Sequence, residues 1–111
     1  SNQALCALAV GVYLAAMGNE GLEKAATQCM SKAHYLADQL TGAGFAVENK
    51  GDFFHEFVTV SSKDTDKVLA ALEKENILGG QKLDDHRILW CCTEMNTKED
   101  MDLLVRIVKE V

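Results

Sequence analysis

Two short stretches of this chain set proton-handling side chains where a ligand could meet them: His55-Glu56 and Thr93-Glu94. An imidazole beside a carboxylate is the material of a general acid–base pair at the mouth of a reaction site. Both residues, however, fall within Phe53 to Val60, an aromatic and β-branched run that reads as a strand. Neighbours on a strand point to opposite faces, so at most one of them enters a core. The alternative role for Glu56 is structural, holding a backbone group or a helix end. Thr93 and Glu94 follow the apolar run Ile88 to Cys92, and either line a cleft or form a strand-to-helix corner in which Thr93 bonds backbone groups. Cys91-Cys92 suggests redox work, but adjacent strand residues diverge, a disulfide between them is strained, and core packing is the better reading. His34 and Tyr35 sit in mid-helix, where packing or solvent contact is expected rather than catalysis.

The elements that position these residues follow from pattern. Ile88 to Cys92 has the length and bulk of a strand buried on both faces. Thr97 with Asp100 makes a capping box, and Met101, Leu104, Val105 and Val108 recur at helical spacing behind it. Upstream, Asn2 to Met17 is almost entirely Ala, Leu, Val, Cys and Gly, a helix without a polar face that must be covered on most sides. Gly18 to Gly21 breaks it. A second helix then runs from about Glu20 to Leu40, with Ala25, Cys29, Ala33, Leu36 and Leu40 inward, and Thr41-Gly42-Ala43-Gly44 ends it. A short strand at Phe45 to Glu48, a turn at Asn49 to Asp52, a helix over about Asp64 to Glu75 on Val68, Leu69 and Leu72, and an edge strand ending near Leu83 complete the order. Helix, helix, strand, strand, helix, strand, strand, helix argues an α+β unit of two layers: a mainly antiparallel sheet with helices on one face.

Composition narrows the function. At 111 residues, 48% hydrophobic and 25% charged, the chain is one ordinary globular domain able to bury about 65% of its unfolded surface. A net charge of -6 with scattered Lys and Arg argues against nucleic acid, which needs clustered cation to displace counterions. No apolar run reaches the roughly 20 residues of a membrane span, so no membrane role is expected. Cys6, Cys29, Cys91 and Cys92 lack the paired spacing of a metal site and are expected as small core residues in a reducing, cytoplasmic compartment.

Cys92-Thr93-Glu94-Met95-Asn96-Thr97-Lys98-Glu99-Asp100-Met101-Asp102 resembles the end of subunit 1 of glycine dehydrogenase (decarboxylating), the P-protein of the glycine cleavage system in its two-subunit form. Asn2-Gln3-Ala4-Leu5-Cys6-Ala7-Leu8, Lys32-Ala33-His34-Tyr35 and Phe54-His55-Glu56-Phe57-Val58 resemble the same family in the same order. The resemblance implies the C-terminal small domain of a fold type I pyridoxal-phosphate transferase, with residues 2–17 as the interdomain helix. The chain, starting at Ser1 inside a helical pattern, is then expected to be a piece of a longer polypeptide. Also implied is the parent's reaction, in which glycine loses carbon dioxide with pyridoxal phosphate as electron sink and its aminomethyl group passes to the lipoyl arm of the H-protein. Subunit 2, in a heterotetramer, and the lipoylated H-protein are the implied partners.

In several fold type I enzymes a small-domain arginine binds a substrate carboxylate. Arg87 stands at the start of a strand where such a group would sit, or else makes an ordinary surface ion pair. A pyridoxal-phosphate enzyme also needs an attachment lysine and a phosphate cradle at a helix N-terminus. Neither is evident here, so the piece is expected to be noncatalytic and without bound cofactor. Asn2, Gln3, His55, Glu56, Thr93 and Glu94 are the residues expected near the active site or a subunit interface. The apolar helix 2–17 also offers a route to a homo-oligomer. Two rivals remain: a small amino-acid-binding or regulatory module, and a purely structural packing domain.

Overall fold

The computed structural model describes residues 2–49 and 51–111. Ser1, and Lys50 within the expected turn, lie outside the described residues. Helix α1 (Ala4–Gly42) contains a break at Gly18, whose φ of 67° and ψ of 179° no side-chain-bearing residue adopts cheaply. The expected division into two helices is therefore present as a kink in one long element. The helix closes as its composition requires: Phe45 N–H reaches the Leu40 carbonyl at 2.9 Å, and Gly44 takes a φ of 92°.

Strands β1 (Ala46–Val47), β2 (Glu56–Val60), β3 (Gln81–Asp84) and β4 (Arg87–Cys91) form one antiparallel sheet in the order β1-β2-β4-β3. Helix α2 (Thr65–Lys74) begins at Asp64, whose carboxylate accepts the Lys67 N–H at 3.2 Å. Helix α3 (Lys98–Lys109) begins at Thr97, whose hydroxyl accepts the Asp100 N–H at 3.1 Å, half of the expected box.

Phe57, Thr59, Ile88 and Trp90 project from the two central strands into a core completed by Ala33, Leu36, Leu40, Val68, Leu72, Met101, Val105 and Val108. The Trp90 indole donates to the Thr59 hydroxyl at 2.8 Å, so its one polar atom is satisfied inside the core. Gly80 lies where a Cβ would meet the Leu89 carbonyl at 2.4 Å, and so lets the chain press against β4.

Four expectations are corrected. The run Ile88 to Cys92 is not buried on both faces: Ile88 and Trp90 are buried, Leu89 is half-buried and Cys91 exposed, because helices cover only one side of the sheet. Phe53 and Phe54 precede β2 rather than extend it. Phe53 instead stacks on the His34 ring with centroids 4.1 Å apart, and its carbonyl lies 2.9 Å from His34 Nε2. Of the four cysteines only Cys92 is a core residue, Cys6 and Cys91 being exposed and Cys29 half-buried. The helical periodicity and bulk of residues 4–17 express a need for cover that the chain itself does not meet: Leu5 is 78% exposed, Leu8 65% and Val12 61%. An 18-residue window of α1 is, by composition and length, apolar enough for a membrane span, contrary to the sequence expectation.

Candidate functional site

The entry of β2, the exit of β4 and the corner before α3 converge at one end of the sheet. Glu56 and Cys91 are direct partners across the β2–β4 pair, which puts their side chains on the same face. His55 precedes the strand, so strict alternation does not separate it from Glu56. The Cys92 N–H donates to the His55 carbonyl at 3.0 Å and fixes that entry. The result is one group: His55, Glu56 and Cys91 bring an imidazole nitrogen, a carboxylate oxygen and a thiol sulfur within 4.8 Å of one another. The expectation that His55 and Glu56 must diverge is therefore overturned. The exposed Glu56 carboxylate has no hydrogen-bond partner among the described residues. Partial burial raises the Cys91 thiol above its ordinary pKa, with the Glu56 charge and then Cys29 adding to it.

The Thr93-Glu94 corner is built as backbone chemistry predicts. Thr93 N–H donates to the Asn96 side chain at 2.8 Å, and the Thr93 hydroxyl accepts the Met95 N–H at 3.2 Å. Helix α1 ties this corner down: Lys32 Nζ donates to the Glu94 carbonyl at 2.8 Å, and the Cys29 thiol to Glu94 Oε2 at 3.3 Å. Glu94's own backbone N–H, and then that thiol, hold its carboxyl below the ordinary carboxylate range. Burial pushes the Cys92 thiol up to about 11, which keeps it protonated and inert. Cys29, Lys32 and Cys91 are the members of this neighbourhood that periodicity could not supply. Only the cross-strand register puts Cys91 beside Glu56.

Other candidates lie elsewhere. Tyr35 donates to Asp102, binding α1 to α3, and Arg87 makes a bidentate pair with Glu48 at 2.9–3.1 Å as well as a 3.5 Å contact to Asp84. The Arg87 guanidinium is thus engaged by carboxylates of its own chain. Asn2 and Gln3 open α1, where the Asn2 side chain accepts the Ala4 N–H at 3.0 Å, and are separated from the other four candidates by the exposed segment before Gly18.

The lysines that the fold engages, and the starts of α2 and α3, are not arranged to hold pyridoxal phosphate. Lys32, Lys63, Lys82 and Lys98 are committed to the Glu94 carbonyl, the Val108 carbonyl, Asp66 and Asp102, respectively. The helices flanking the sheet start with Asp66 in α2 and with Glu99 and Asp100 in α3, negative charge where a phosphate cradle requires positive potential. A cavity of about 330 Å³ between the end of β4, the 76–79 loop and α3 is lined by Leu36, Ile77, Trp90, Met101 and Asp100 among others, and contains no lysine.

The glycine cleavage system P-protein family model matches residues 1–108. The probable glycine dehydrogenase (decarboxylating) subunit 1 of Desulfitobacterium hafniense is 39% identical over all of this chain and 26% of its own length. That of Thermomicrobium roseum is 38% identical over 99% of the chain and 26% of its length, and that of Sulfurisphaera tokodaii 36% over 100% and 25%. A crystal structure of glycine decarboxylase (P-protein) of the glycine cleavage system, in inhibitor-bound form, superposes with a TM-score of 0.91 and 31% identity over 99% of this chain and 26% of that one. The chain thus spans about a quarter of the length of the proteins it matches, and over that quarter it belongs to the glycine cleavage system P-protein family.

Proposed function

We propose that this chain is the C-terminal small domain of subunit 1 of a two-subunit glycine dehydrogenase (decarboxylating), and that residues 2–17 are the helix joining it to a larger domain of the same polypeptide. On this reading the parent decarboxylates glycine with pyridoxal phosphate and passes the aminomethyl group to the lipoylated H-protein. Subunit 2 carries the cofactor lysine and completes a heterotetramer. The chain described here contributes shape and interface: no residue in it binds the cofactor, and the Thr93-Glu94 corner with Asn2 and Gln3 lies against the remainder of the assembly. A cytoplasmic setting suits its four free thiols.

The observation that carries this reading is the uncovered apolar surface of α1 before Gly18. A soluble chain rarely leaves such a helix exposed, and about three quarters of each matched relative is available to cover it. Deleting residues 1–111 from the parent subunit, co-expressed with subunit 2, is expected to abolish exchange of bicarbonate carbon into the glycine carboxyl. The isolated chain is expected to show no bound pyridoxal absorbance. Exchange activity that survived the deletion would overturn the proposal.

A further inference from the structure

We propose that His55, Glu56 and Cys91 bind a thiophilic divalent cation, with zinc the best fit. Zinc bonds to these donor types run about 2.0–2.3 Å, which places tetrahedral ligands roughly 3.5 Å apart. The three donor atoms already lie within 4.8 Å of each other, so a closure of at most about 1.3 Å brings them into coordinating range. Glu56 and Cys91 are exposed and can supply it by side-chain rotation, while the paired strands hold their backbones in place.

Charge and softness select the ion. One thiolate and one carboxylate balance a 2+ charge, with neutral imidazole as the third ligand. Sulfur and nitrogen donors disfavour calcium and magnesium, which take oxygen shells. Two further features mark the group. His55 Nδ1 is buried without a hydrogen-bond partner, a cost that ligation through Nδ1 accounts for. No basic side chain pairs with Glu56 among the described residues. The triad Asp64, Asp66 and Asp85 is the instructive contrast: it too gathers donors, but the Lys82 ammonium lies 2.8 Å from Asp66 and 3.3 Å from Asp85 and already neutralises it. Three protein ligands leave a fourth tetrahedral position for solvent. The site rests on this chain's own side chains.

The test is a titration of the reduced chain with zinc against a chromogenic chelator, and with cobalt(II) as a spectroscopic substitute. One equivalent is expected to bind, with cobalt giving thiolate charge-transfer bands and the strong visible absorption of tetrahedral coordination. Cys91→Ser and Glu56→Gln, both at exposed positions that leave the core intact, should each weaken binding at least tenfold, as should His55→Gln. Asp66→Asn should leave it unchanged. Absence of stoichiometric uptake, or uptake retained in both Cys91→Ser and Glu56→Gln, would remove the site.

Discussion

The two ends of α1 are built from similar residues and meet opposite fates. From Ala33 to Leu40 its apolar side chains vanish beneath the sheet and α3, whereas from Leu5 to Leu14 equally apolar ones face outward. Hydrophobic periodicity states that a helix needs cover, not where the cover comes from. The contrast therefore separates what this chain folds for itself from what it offers to another body. Its sharpest form is a pair of substitutions. Trp90→Ala removes a fully buried ring and its bond to Thr59, and should cost about 3–5 kcal/mol, enough to unfold much of the population. Leu8→Ala should change the stability of this chain by no more than about 0.5 kcal/mol. Urea unfolding of both variants decides it: a Leu8 cost matching that of Trp90 would mean that the opening segment is already covered in solution, for instance by a second copy.

Between the two halves stands Gly18. Its φ of 67° with ψ near 180° belongs to a region open almost only to glycine, so Gly18→Ala should cost about 1–3 kcal/mol if the kink is retained. Alanine instead favours a straightened helix. The expected outcome is a rise in helix content by circular dichroism, with a core whose urea midpoint is unchanged, because the break lies outside the packed half. A lowered midpoint would tie the two halves together and dissolve the contrast.

Much of this was legible beforehand. The capped start of α3, the glycine stop after Leu40 and the helix stripes at Val68, Leu72, Met101, Val105 and Val108 follow from local rules that tertiary structure did not override. What failed had a common physical origin. The burial of Leu89 and Cys91 depends on whether a second layer covers the far face of the sheet, and a five-residue apolar run cannot reveal that. The pairing of Glu56 with Cys91 depends on register across 34 intervening positions, and the approach of His55 on where β2 begins. Cys91 is at the surface because that side of the sheet is open, and Cys6 because the start of α1 has no cover within the chain.

The smallest effect concerns the seam where the packed half of α1 meets α3. The Lys98 ammonium, 2.8 Å from Asp102, and then the Tyr35 hydroxyl hold the Asp102 carboxyl below the ordinary carboxylate range. With the folded pKa below the unfolded value of about 3.9, the unfolded chain binds more protons in the interval between them. The contribution of this group is therefore full above the unfolded value and disappears as pH falls through the folded one. Asp84, held down first by the His86 backbone N–H and then by Arg87, and Glu94 act in the same direction. All three are solvent-screened, so each effect is modest. Melting temperatures from pH 7 to pH 3 should fall more steeply for the parent chain than for Asp102→Asn, the variant starting lower at pH 7 and the gap closing toward pH 3. Parallel profiles would show that the Tyr35–Asp102–Lys98 seam adds nothing to the packed half of the helix. Its attachment to α3 would then be apolar alone, and the two ends of α1 would differ only in what covers them.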